Sequence, residues 1–138
     1  MEATVATQLA SHLTAQRKPL GQQVATRLLR TFPELTHSLR LEEHYTATDR
    51  LSQVAVERFS EVVRAILLFD LPALADKEIA WAQGVLPLRG VTYQHQSAMV
   101  RWFFEEVRRL ALSPAEAALT RELEHYLLNL VNKAYNRS

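Results

Sequence analysis

Six apolar residues recur at helical spacing between Leu51 and Phe69: Leu51, Ala55, Phe59, Val62, Ile66 and Phe69. Gln53, Glu57, Glu61 and Arg64 fall opposite them. A stripe that stays in phase over this length marks an amphipathic helix. Such a helix must bury its apolar face against other helices or a sheet. No segment of the chain alternates apolar and polar residues with period two for long enough to make a strand. The partners of this helix are therefore other helices, and the expected class is all-α.

The rest of the chain supplies them. Val5, Leu9 and Leu13 form a first stripe over about Ala3 to Gln16, which Arg17-Lys18-Pro19 is expected to end. Leu20, Val24, Leu28 and Phe32 form the second. Thr31, Pro33 and Glu34 have the spacing of a capping box, with a short helix over Pro33 to Leu39. Arg40 to Ala47 reads as a polar loop containing His44 and Tyr45. Thr48-Asp49 is placed as the cap of the long helix and Asp70 as the cap of the next, with Pro72 in its first turn. That helix carries Leu74, Ile79, Trp81 and Val85 and stops at Pro87 to Gly90. Thr92 caps an aromatic helix running to about Ala111, with Met99, Phe103, Val107 and Leu110 on one face, flanked by Val100 and Phe104. Ser113-Pro114-Ala115-Glu116 is a second capping box and opens a last helix to about Tyr135. The expected architecture is one domain over residues 1–138, with six main helices and one short one.

That last helix is too apolar for a single neighbour. Leu128, Val131 and Tyr135 widen the face made by Leu119, Leu123, Tyr126, Leu127, Leu130 and Ala134 beyond the roughly 100° stripe one core needs. Trp102, on the preceding helix, also lies off the core face. Either the last helix is deeply buried in its own domain, or its outer flank meets a partner, in which case Trp102, Leu128, Val131 and Tyr135 are the residues expected at the contact.

Composition narrows the function classes. Sixteen basic and fifteen acidic residues nearly cancel, so there is no clustered positive surplus of the kind phosphate backbones require. No nucleic-acid partner is expected. Arg101, Arg108 and Arg109 form a basic edge, but Glu105 lies at pairing distance along the helix from two of them. The chain has no Cys, which excludes disulfides, thiolate chemistry and Cys-held metals, and fits a cytoplasmic location. No apolar run approaches the roughly 18 residues of a membrane span. The first residues lack the basic start and apolar segment of a secretory signal.

The order of motifs resembles a globin. Arg27 to Leu39 (RLLRTFPELTHSL) is similar to the junction of the second and third globin helices. Leu51 to Asp70 resembles the long fifth helix and its exit. Gly90-Val91 followed by His95 resembles the opening of the seventh, and Ser113 to Glu116 the opening of the eighth. In that family the iron-binding His lies four residues before the position of Gly90. Here that residue is Leu86, followed by Pro87. The distal position falls near Gln53. With the iron ligand missing, the chain resembles the haem-less globin-like sensor domains of bacterial signalling proteins, of the stressosome type. The resemblance implies a non-enzymatic sensory or regulatory role, dimerisation through the last two helices, a signalling partner and no haem cofactor. It further implies an old cofactor space approached by Phe59, Val63, Leu86, Tyr93, Met99 and Phe103, either filled by these side chains or open to an apolar ligand. A sensor domain without an effector is expected to act in trans or to be part of a longer chain.

Other chemistry finds little support. An atypical haem-binding globin is the alternative, with His44, His95 or His125 as ligand and His95 favoured. Glu42, Glu43 and His44, and Glu122, Glu124 and His125, are the acidic clusters nearest to a metal site. The second offers one pair on a helix face and no third ligand. No nucleophile elbow, Gly-rich phosphate loop or kinase motif is present. Catalytic residues and metal ligands are both expected to be absent.

Overall fold

The computed structural model describes residues 2–41 and 46–136. Among them there is no strand. The helices are α1 (Ala3–Ala15), α2 (Arg17–Thr31), α3 (Leu35–Ser38), α4 (Ala47–Leu51), α5 (Glu57–Phe69), α6 (Ala73–Val85), α7 (Tyr93–Arg108) and α8 (Pro114–Tyr135). A π-helical segment, Ser52–Val56, joins α4 to α5 without a break. With α4 and α5 taken as one helix, the described residues make six long helices and one short one. The all-α class holds.

The best-read boundaries are those with reciprocal caps. Ser113 Oγ accepts from Glu116 N at 3.1 Å, and Glu116 Oε1 accepts from Ser113 N at 3.0 Å, with Pro114 in the first helical position. The turn at Pro87–Arg89 also closes as its residues dictate. Val91 N bonds Leu86 O, Gly90 N bonds Pro87 O, and Gly90 has φ +84°. This is a Schellman closure, which places glycine in the left-handed region.

Several other boundaries differ from expectation. Pro19 does not end a helix: α1 stops at Ala15, and α2 starts at Arg17, so Pro19 lies in its first turn, where no intrahelical N–H is needed. Thr31 is the last residue of α2 rather than a cap. Glu34 turns away from the chain start of α3 and binds His95. Ala47 opens α4, so Thr48 and Asp49 lie inside the helix, and Asp49 accepts from Gln22 at 3.1 Å. Asp70 ends α5 in the left-handed conformation, φ +50°, instead of capping α6. Helix α7 stops at Arg108, before Ala111. Most of the polar stretch after Arg40, including Glu42, Glu43, His44 and Tyr45, lies outside the described residues.

The core is continuous and runs through every long helix. Helix α1 packs on α5 and α8, α2 on α7 and the π segment, and α8 on both α6 and α7. Phe103 and Phe104 are fully buried at its centre. Their rings meet edge to face at 5.2 Å, and Phe59 meets Phe103 in the same way at 5.1 Å. Such pairs add to the area they bury. The stripe from Leu51 to Phe69 is only partly the buried face. Val56, Ser60, Val63 and Leu67 are buried too, while Phe69 is 66 % exposed. The π segment inserts one residue per turn beyond the α repeat, which moves the buried face partway round the helix.

Helix α6 is the least anchored of the long helices. Ala75 is its one fully buried residue. It is tied to α5 through Arg58 and Glu78, and to α8 through Gln83, whose amide donates to Ala134 O.

Candidate functional site: an apolar cavity under α6

The loose seating of α6 leaves a cavity of about 170 Å³ between it and the rest of the bundle. Its walls come from every side of the fold. Leu28 of α2, Leu35 of α3, Leu51, Val54 and Ala55 before α5, and Phe59 on α5 form one side. Ile79, Trp81, Ala82 and Leu86 on and after α6 form another. Val91, Met99 and Val100 around α7, with Leu127 and Val131 of α8, close the base. Four polar side chains also line it: Arg58, Glu78, His95 and Gln96.

Each of those four already has a polar partner. Arg58 Nε donates to Glu78 Oε1 at 2.6 Å, and its guanidinium lies 4.4 Å from the centre of the Trp81 ring. Gln96 Nε2 donates to the Tyr135 hydroxyl, which burial pushes above its ordinary pKa. His95 uses both ring nitrogens. Nδ1 accepts from Thr92 N at 2.9 Å, while Thr92 Oγ1 accepts from His95 N at 3.4 Å. The reciprocal geometry is a capping box with imidazole in the place of the usual carboxylate. A nitrogen that accepts cannot carry the proton, so the hydrogen of the neutral ring is on Nε2. That nitrogen lies 2.8 Å from Glu34 Oε2. The His95 contact holds the Glu34 carboxyl below its ordinary pKa. The Phe32 ring stands edge-on to the imidazole at 4.7 Å. His95 is thus 6 % exposed and pins the α2–α3 corner to the start of α7.

Of the six residues expected around the old cofactor space, Phe59, Leu86 and Met99 line this cavity. The other three do not. Val63 is buried on another side of α5, and Phe103 lies behind Phe59, fully buried in the aromatic cluster. Tyr93 is on the surface, where its hydroxyl donates to Asn132 Oδ1 at 3.3 Å and its ring lies 5.6 Å from that of Tyr135. Gln53 is exposed, on the outside of the π segment, and lines no wall of the cavity.

Among the residues expected at a dimer face, Val131 needs correction. It is buried within its own chain and forms part of the cavity base, so it has no surface to offer a second copy. Trp102 is half-buried between the Phe32 ring, stacked at 6.0 Å, and the Arg27 guanidinium at 4.3 Å. Leu128 and Tyr135 are half-buried. The acidic cluster on α8 is dispersed by its partners: Glu124 binds Arg108, and His125 meets Asn129 at 3.2 Å. Among the described residues no three His, Asp or Glu side chains converge as metal ligands do. Among them, too, no helix is long and apolar enough to cross a membrane.

Three features around the cavity have no expectation in the sequence reading. Arg58 and Glu78 stand on different helices, and nothing in the linear order pairs them. The π segment has no local signature. The Thr92-x-x-His95 cap was within reach, because its spacing is that of the Ser113-x-x-Glu116 box. No protein-family model matches the chain, and no curated protein or solved structure matches it either.

Proposed function

We propose that this chain is a non-enzymatic regulatory domain of globin-like arrangement that reads out a small apolar molecule held under α6. The observation that carries this reading is the cavity itself. An apolar void of about 170 Å³ forfeits contacts that a packed core would have. Here it lies beneath the helix with the least buried surface, where occupancy has the most leverage on position. A molecule that restores the missing contacts draws α6 inward, and the shift passes to α8 through Gln83 and Val131.

Haem is not part of this reading. Leu86 stands where the resemblance would require the iron-binding His, and among the described residues His95 is the one histidine that lines the cavity. Both of its nitrogens are committed, and freeing Nε2 for a metal would strip Glu34 of its partner.

The regulatory unit is a homodimer formed by the outer flank of α7 and α8, with Trp102, Leu128 and Tyr135 at the contact, signalling to another protein. Size-exclusion chromatography with light scattering is expected to show a dimer that Leu128→Glu converts to monomer. A monomeric native protein, or a dimer indifferent to Leu128→Glu, removes this part of the proposal. The cavity is tested by methyl NMR of Leu86, Met99 and Val131 during titration with a panel of small hydrocarbons. Shifts in these methyls, absent from methyls away from the cavity and abolished by Ala55→Phe, are the expected result. If no member of the panel moves them, the void is a packing defect and the ligand reading falls.

A further inference from the structure

We infer that the cavity selects uncharged, non-polar molecules of about the size of one aromatic ring, and that Arg58, Glu78 and Trp81 form a latch across its mouth. This rests on the ligand reading proposed above and adds the ligand's chemistry and its route of entry.

Size sets the first limit. A void of about 170 Å³ compares with the roughly 150 Å³ of an apolar protein cavity that stays dry and takes up benzene. Charge sets the second. The one cationic side chain among the described lining residues is Arg58, and Glu78 already neutralises it. A ligand carboxylate would have to displace Glu78 and leave that half-buried carboxylate unpaired. A ligand ammonium would face the same choice with the roles reversed. His95 and Gln96 are held by Glu34, Thr92 and Tyr135 and offer no replacement. Burying an unpaired charge against a hydrocarbon wall is strongly unfavourable. A neutral ring meets no such penalty.

The latch follows from placement. The cavity reaches the surface where Trp81, 46 % exposed, and Val54 meet solvent. Arg58 projects from α5 and lies over the Trp81 ring while binding Glu78, both of the latter being on α6. The three side chains therefore join the two helices that must part to admit a molecule. Because α6 has so little other burial, loss of this link should change how fast the mouth opens more than how well the interior holds its ligand.

The test uses three probes with the same ring: 4-fluorotoluene, 4-fluorobenzoate and 4-fluorobenzylamine, followed by 19F NMR with the intact chain. The neutral probe is expected to bind, and the two charged ones to bind about tenfold more weakly or worse, as an unpaired buried charge requires. In Arg58→Ala and Glu78→Gln, exchange of 4-fluorotoluene should be about fivefold faster, the scale of one exposed ion pair plus a cation–π contact. Raised salt should speed exchange in the native chain and not in the variants. Benzoate binding as tightly as toluene refutes the selectivity, and unchanged exchange in both variants refutes the latch, while the ligand reading survives either result. Failure of all three probes to bind overturns the reading and the inference together.

Discussion

The close approach of α2 to the π segment offers a sharp test of how this bundle is held, and it rests on Gly21. A methyl group at Gly21 would lie 2.2 Å from Ser52 Oγ, 3.2 Å from Glu57 Cγ and 3.5 Å from Ser52 Cβ. Gly21 has ordinary helical backbone, so Ala here improves helix propensity by about 1 kcal/mol. Against that gain stands the contact with Ser52, a side chain 2 % exposed whose hydroxyl meets Glu57 Oε2 at 3.4 Å. Relief requires Ser52 to rotate or α2 to move, and overpacking of this kind costs about 1–3 kcal/mol. Gly21→Ala is therefore expected to destabilise by a net of about 1 kcal/mol. In a Ser52→Ala background the offending oxygen is gone, and the tightest remaining neighbour is Glu57 Cγ at 3.2 Å, on a side chain flexible enough to give by a few tenths of an ångström. There Gly21→Ala should stabilise by about 1 kcal/mol. The two effects differ in sign, which gives a coupling of about 2 kcal/mol for residues in contact. Urea denaturation followed by circular dichroism reads it as a shift of midpoint at constant slope. If Gly21→Ala stabilises equally in both backgrounds, the close approach does not constrain the fold and this reasoning is wrong.

Three further substitutions test separate parts of the structure. Phe103→Ala removes the fully buried centre of the aromatic cluster and should cost about 3–5 kcal/mol, a large part of a typical domain's stability, read from the same urea titration. Asp70→Gly should stabilise by about 0.5–1 kcal/mol, because the residue ending α5 has φ +50°, and a higher midpoint temperature would show it. The Glu116 carboxyl is held below its ordinary pKa chiefly by the Ser113 N–H, against the opposing effect of burial, with His12 Nε2 2.9 Å from its second oxygen. A lowered carboxyl pKa stabilises the fold above the unfolded value of about 4.3 and ceases to do so as pH falls through the folded value. Glu116→Gln should therefore be less stable than the native chain at neutral pH and converge with it in acid; parallel stability curves from neutral pH to pH 3 would refute the assignment.

Sequence resolves this fold wherever a local rule is obeyed and loses it where a distant contact wins. Ser113 and Glu116 satisfy each other within one turn, so their spacing alone places the start of α8. Gly90 likewise closes the turn after α6 because only its backbone freedom suits the position. Glu34 has the spacing of a cap, yet its carboxylate goes to His95 Nε2, far along the chain, on an imidazole that the Phe32 ring also holds. Asp70 looks like the cap of the following helix. The structure uses it to stop the preceding one, a choice set by where α5 must turn. The candidate site shows the same division. The resemblance to globins implies Phe59, Leu86 and Met99 at this site, and they line the cavity, whereas Val63, Tyr93 and Phe103 do not. Arg58 and Glu78 carry no signal at all in linear order, since their pairing exists only after α5 and α6 have packed.

The cavity and the weakness of α6 have a common origin in that packing. Helix α6 brings Leu74, Ile79, Trp81 and Val85, but places only Ala75 completely inside. A small residue at the deepest contact lets α6 approach at that point, while Ile79, Trp81 and Ala82 beyond it line the cavity and Gln83 reaches α8. Trp81 then cannot reach the core and lies under the Arg58 guanidinium at the surface. Leu88 follows it outward at 87 % exposure, as Pro87 and Gly90 turn the chain back toward α7. Filling the void from within, by a larger residue at Ala82, would draw on the same missing contacts as a ligand. The two should therefore compete, and the substitution should stabilise the bundle while removing its capacity to bind. A stability gain without loss of binding would mean that the void and the binding site are different places.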